Sequence, residues 1–127
     1  MDPSKPLLTT AEVLRDGICV IEVVGRLDSH TSGQAQDAFI DATHRHPRVL
    51  IDCSRTTFMS SAGLRAIILG HRAARDAGGK FAVCIPTPAV METVQVAAID
   101  KVITITPTIE QALAQLKSPQ RSSRCKE

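Results

Sequence analysis

The stretch that most constrains the fold runs from Val49 to Gly78. It opens with the apolar run Val49-Leu-Ile51, passes through a short polar segment, and reaches Ser60-Ser-Ala-Gly63 before an amphipathic run. A short continuous apolar run is typical of a strand that is covered on both faces. Serine is frequent where helices begin, and the amphipathic run predicts such a helix. We therefore expect a buried strand, a polar loop, and a helix whose first turn carries two hydroxyls.

Strand and helix patterns alternate along the rest of the chain. Including the strand just described, strands are predicted at residues 7–14, 18–24, 48–53, 81–85 and 102–105. The first two would form a hairpin across Asp16-Gly17, and each later strand is followed by a helical pattern. Parallel strands joined by helical crossovers explain that alternation. The sequence thus predicts one α/β domain, with a mixed sheet of about five strands and about four helices.

Several boundaries follow from local signals. Gly78-Gly79 should end the central helix, and Thr108 to Gln111 form a capping box for the last one. The third helix should bury an apolar side that includes Ala97 and Ala98. We expect a loose N-terminus at residues 1–6, one domain over 7–116, and a flexible basic tail over 117–127.

Composition excludes several classes of function. The net charge of the 127 residues is only +2, and 2% of them are aromatic, which argues against nucleic-acid binding. The four cysteines form no Cys-x-x-Cys pair, and His44 and His46 lack helical metal-ligand spacing, so no metal or cofactor is predicted. No signal peptide or apolar run of about 18 residues is evident, which favours a cytoplasmic protein without membrane insertion.

The Ser60-Ser61 pair admits two interpretations. Either serine could cap the helix, as serines often do. Alternatively, Ser61 could carry a phosphate, with Ser60 the second candidate, because a helix start tolerates negative charge and Arg65 lies one turn along. A catalytic serine fits worse, because the Gly-x-Ser-x-Gly elbow is missing and no histidine and carboxylate pair is evident. We therefore do not expect an enzyme.

Asp28 follows the predicted second strand within Gly25-Arg-Leu-Asp28. It could stabilise its loop through an Asx-type hydrogen bond. It could equally contact a partner at the end of the sheet where Ser60 lies. The residues alone leave both readings open.

These segments together resemble the STAS domains of anti-sigma factor antagonists. The resemblance rests on residues 25–28, 49–52 and 58–64 and on the Gly78-Gly79 break, and it covers residues 7–116. It implies a regulatory protein without catalysis, which binds an anti-sigma factor that is also a serine kinase. Phosphorylation of a serine at the start of the central helix would stop that binding, and a phosphatase would restore it.

The resemblance places the phosphorylated serine on Ser61. The aspartate that usually precedes it is replaced by Ser60, and the hydroxyl residue that follows it by Ala62. A partner-binding surface is expected on Asp28, Phe58, Met59, Ser60, Ser61, Gly63, Leu64 and Arg65. The alternative is an unphosphorylated STAS subunit that binds a small ligand or a membrane transporter partner.

Overall fold

The computed structural model describes residues 8–85 and 87–117. Its strands are β1 (Leu8–Arg15), β2 (Ile18–Leu27), β3 (Arg48–Asp52), β4 (Thr56–Met59), β5 (Lys80–Cys84) and β6 (Thr104–Thr106). Its helices are α1 (Ser32–Arg45), α2 (Ser61–Asp76), α3 (Pro88–Val96), a short 3-10 helix (Ile99–Lys101) and α4 (Ile109–Lys117). The loose N-terminus expected at residues 1–6 and the tail beyond Lys117 lie outside the described residues.

The sheet is mixed, with the strand order β1-β2-β3-β5-β6, and β4 pairs with β2 outside that path. Strands β1 and β2 are antiparallel and join across Asp16-Gly17, whereas every later pairing is parallel. The predicted α/β class, with its leading hairpin and parallel strands, is confirmed. The short strand β4 is an addition, in a segment that we expected to be a polar loop.

Strand β2 changes its partner at Gly25. Its first half pairs with β3 from Cys19 to Glu22, and its last residues pair with β4 from Gly25 to Leu27. The register shifts between Gly25 and Arg26, and Gly25 has a φ of 118°, which side chains rarely permit. The expected strand end at Val24 is therefore wrong by three residues, because this glycine forms a bulge and not a turn.

The sheet is covered on both faces. Val49 and Ile51 lie in a large core beneath α1, α2 and α3, while Leu50 lies in a second core with Leu113 and Leu116 of α4. The continuous apolar run thus forms the predicted strand that is covered on both faces, because its alternate residues pack into opposite cores. No helix among the described residues is long and apolar enough to span a bilayer.

The segment between α3 and β6 departs most from expectation. Helix α3 ends at Val96, and Ala97 and Ala98 are exposed, so their predicted burial is wrong. Ala98 has a φ of 60° and turns the chain into the 3-10 helix. Strand β6 then begins at Thr104, two residues later than predicted, and leaves Val102 exposed. Elsewhere, hydrogen bonds confirm the helix end at Gly78-Gly79 and the Thr108 cap of α4.

Candidate functional site

The central turn is held against the end of β2. The Ser60 amide donates a hydrogen bond of 3.0 Å to the Leu27 carbonyl oxygen. Gly63 packs on the same residue: a Cβ placed on Gly63 would lie 2.6 Å from that oxygen. The absence of a side chain at Gly63 therefore lets α2 pack closely on β2, and Gly63 is buried.

The two serines of the turn have different surroundings. Ser60 has an extended backbone and precedes α2, yet its side chain makes no capping hydrogen bond. Its Oγ atom is buried without a partner among the described residues. Ser61 is the first residue of α2 and is exposed. Neither hydroxyl caps the helix, so its first amides keep the positive end of the macrodipole available to an anion.

An open groove of about 550 Å³ begins at Ser61. Its lining consists of Ser61, Ala62, Leu64, Arg65, Ile68, Ala97 and Ile99. The lining is mostly apolar, with one guanidinium and with neither a histidine nor a carboxylate. Ser61 thus lacks the general base that a nucleophilic serine needs in this groove.

Asp28 forms the Asx-type loop. One carboxylate oxygen accepts a 3.0 Å hydrogen bond from the His30 amide, and the other accepts one of 3.3 Å from Arg26 Nε. The Asp28 amide in turn donates to Thr31 Oγ1 at 2.9 Å. The His30 amide, followed by Arg26, lowers the pKa of Asp28 below its ordinary value. Asp28 therefore shapes the loop that follows β2, and its carboxylate stays ionised there.

The other predicted partner-binding residues divide by exposure. Met59 and Leu64 are only 4% and 7% exposed, because both pack into the large core. Met59 therefore offers little surface to a partner, whereas Leu64 still forms part of the lining of the groove. Phe58 is 40% exposed, and Arg65 is also on the surface. Arg26 was not predicted for the site, yet its guanidinium lies 4.4 Å from the centre of the Phe58 ring.

Comparison with known proteins decides the family. The sequence model of the STAS domain matches residues 11–112, which is most of the chain. This chain belongs to the STAS domain family. The match confirms the resemblance expected from the sequence, and the matched range includes the turn at Ser60-Ser61.

Similar STAS proteins are named as anti-sigma factor antagonists. The anti-sigma F factor antagonist of Paenibacillus polymyxa is 26% identical over 103 residues, which are 80% of this chain and 88% of that protein. An anti-sigma factor antagonist from Mycobacterium paratuberculosis has 25% identity and a TM-score of 0.81, over 92% of this chain and 98% of its own. An anti-sigma factor antagonist (STAS) domain protein from Planctomyces limnophilus has 26% identity and a TM-score of 0.71, over 84% of this chain and 96% of its own.

Proposed function

We propose that this chain is an anti-sigma factor antagonist. It binds an anti-sigma factor that is also a serine kinase, and phosphorylation of Ser61 ends that binding until a phosphatase restores it. One observation carries the proposal. Ser61 is the exposed first residue of α2, and similar proteins are named as anti-sigma factor antagonists.

The partner surface that we propose is narrower than the one expected from sequence. It comprises the exposed residues Phe58, Ser61 and Arg65 and the groove that begins at Ser61. Met59 and Gly63 are buried beneath it, and Leu64, although mostly buried, forms part of the lining of the groove. An exposed aromatic ring is a common anchor in protein interfaces, and an open, mostly apolar groove can receive apolar side chains of a partner.

A phosphate on Ser61 would change the charge of this surface without unfolding it. It adds about −1.5 to −2 charges and three acceptor oxygens. The uncapped start of α2 and the Arg65 guanidinium can accommodate those oxygens. The same charge stands in a mostly apolar groove, where a docked partner would have to bury it. Ser60 is the weaker acceptor, because its Oγ atom is buried and a kinase could not reach it.

The proposal is tested on the protein isolated from its native cells in several growth states. Peptide mapping by mass spectrometry should find a phosphate on Ser61 in some of them. The co-purified anti-sigma factor should bind the Ser61→Asp variant about tenfold or more weakly than the wild type. The Gln115→Glu variant adds the same single charge on an exposed position of α4 and should bind normally.

An unmodified Ser61 in every growth state, together with undiminished binding by Ser61→Asp, would overturn the switch. A membrane transporter or small ligand recovered with the protein, in place of a kinase, would favour the alternative STAS role.

A further inference from the structure

Three metal-ligating side chains meet at the opposite end of the sheet. Glu12 lies on β1, Cys19 near the start of β2, and His46 between α1 and β3. One potential ligand atom of each lies within 4.8 Å of the other two. We propose that Glu12, Cys19 and His46 bind a divalent transition-metal ion of the Zn²⁺ class.

The fold places these residues together by backbone pairing. Glu12 lies opposite Ile21 and Leu14 opposite Cys19 in the β1-β2 ladder, so Glu12 and Cys19 are diagonal neighbours on one face. His46 ends α1, where its amide donates a hydrogen bond of 2.9 Å to the Ala42 carbonyl oxygen. The three positions are therefore fixed by regular structure.

The three side chains also share a cavity. It has a volume of about 210 Å³, and Val13 and Leu14 complete its lining. Cys19 is 1% exposed, His46 is half-buried and Glu12 is exposed, so an ion can enter from the Glu12 side. A partly enclosed cavity with one open side suits a metal site that keeps a water ligand.

The donor set suits zinc. Zn²⁺ accepts a thiolate, an imidazole and a carboxylate together, and three protein ligands leave its fourth position for water. Ligand atoms of a tetrahedral zinc site lie about 3.5 Å apart, given bonds of about 2.0–2.3 Å. Binding therefore needs a contraction of at most about 1.3 Å from the 4.8 Å limit, which rotation of the exposed Glu12 and the half-buried His46 can supply.

Arg45 is the main competitor for Glu12. Its guanidinium pairs with the Glu12 carboxylate and with Asp41, the latter at 2.9 Å, and its Nη1 lies 3.4 Å from His46 Nε2. When Glu12 turns to a metal ion, Asp41 remains as the partner of Arg45. Burial, and then the Glu12 charge, raise the pKa of the Cys19 thiol to about 11. A bound metal ion would displace that proton, because a coordinating thiol is deprotonated outright.

The test is titration of the full chain, purified without an affinity tag and stripped of metal, with Co²⁺. Co²⁺ bound by a thiolate gives a near-ultraviolet charge-transfer absorption, and Zn²⁺ should displace it. We expect this absorption in the wild type and its loss in Cys19→Ser, with a fold confirmed by circular dichroism. His46→Gln should weaken Co²⁺ binding about tenfold or more.

Two variants serve as matched controls. His44→Gln removes an exposed histidine two residues away, and Cys125→Ser removes a cysteine of the C-terminal tail. Both should bind Co²⁺ as the wild type does. A wild type without the charge-transfer absorption, or a folded Cys19→Ser variant that retains it, would overturn the proposal. Neither result bears on Ser61 phosphorylation, because the two sites share no residue.

Discussion

The Ser60 amide donates a 3.0 Å hydrogen bond to the Leu27 carbonyl oxygen, and this bond ties the start of α2 to the end of β2. The position of Ser61, the candidate phosphoserine, is therefore fixed by strand β2 of the sheet. The exposed Ser61 is presented by a largely buried strand and by a helix that packs one face into the core. A change at this junction should therefore affect stability as well as function.

We expect Gly63→Ala to lower the free energy of unfolding by about 1–3 kcal/mol, as overpacking does. The new Cβ would lie 2.6 Å from the Leu27 carbonyl oxygen, which belongs to the backbone and cannot rotate away. Urea denaturation measures the change. The control is Gly33→Ala near the start of α1, where nothing lies within 4 Å of a new Cβ. It should stabilise by about 0.4–1 kcal/mol, and an equal effect of both variants would contradict the predicted clash.

Two helix starts should respond differently to loss of a hydroxyl. Thr108 Oγ1 accepts a 3.2 Å hydrogen bond from the Gln111 amide, so Thr108→Ala should cost about 1 kcal/mol. Ser60 Oγ is buried without a partner among the described residues, so Ser60→Ala should change stability by less than about 0.5 kcal/mol. Thermal unfolding of the two variants compares them. A larger loss for Ser60→Ala would show that Ser60 does cap α2.

Phe58→Ala should weaken binding of the anti-sigma factor about tenfold or more, the loss typical of an aromatic anchor. Phe58 is an exposed residue of the proposed partner surface, and its ring packs on the Arg26 guanidinium. The control is Leu14→Ala, because Leu14 is an exposed apolar residue on β1 that lies outside this surface. Affinities from isothermal titration calorimetry should separate the variants, and equal losses would contradict the assigned surface.

Stability should fall at alkaline pH because of Cys53. Burial raises the pKa of its thiol from 9.0 to about 12 in the folded protein. Above pH 9 the unfolded thiol ionises while the folded one keeps its proton, so unfolding releases a proton and is favoured as pH rises. The slope from one such thiol is about 1.4 kcal/mol per pH unit. Denaturation of Cys53→Ala between pH 9 and 11 should show a shallower slope than the wild type; parallel slopes would contradict the raised pKa.

Much of the fold follows from local patterns. The apolar run at residues 49–51 predicts a strand covered on both faces, and alternate residues of β3 do enter the two cores. Strand β4 could not be predicted from such patterns. It has four residues, with Thr56 and Met59 buried and the two between them exposed, so it shows no alternation. Ala98 adopts a left-handed conformation, which alanine rarely does, so the sequence does not predict the turn before β6.

The candidate site is only partly readable from sequence. The turn at Ser60-Ser61 can be recognised in the sequence. The sequence does not show whether Met59 and Leu64 face a partner or the core, because both positions favour apolar residues. The Glu12-Cys19-His46 cluster could not be predicted from local sequence patterns. Its members come from three segments, and only the register of the β1-β2 hairpin and the end of α1 bring them together.

Strand β2 carries one end of each candidate site, with Cys19 near its start and Leu27 at its end. Eight residues of extended chain separate these positions by roughly 26 Å. That distance is about three times the Debye length of about 8 Å at physiological ionic strength. A metal ion on Cys19 and a phosphate on Ser61 would therefore barely sense each other's charge. With both sites occupied, the strand would act as a spacer between two states that do not influence each other.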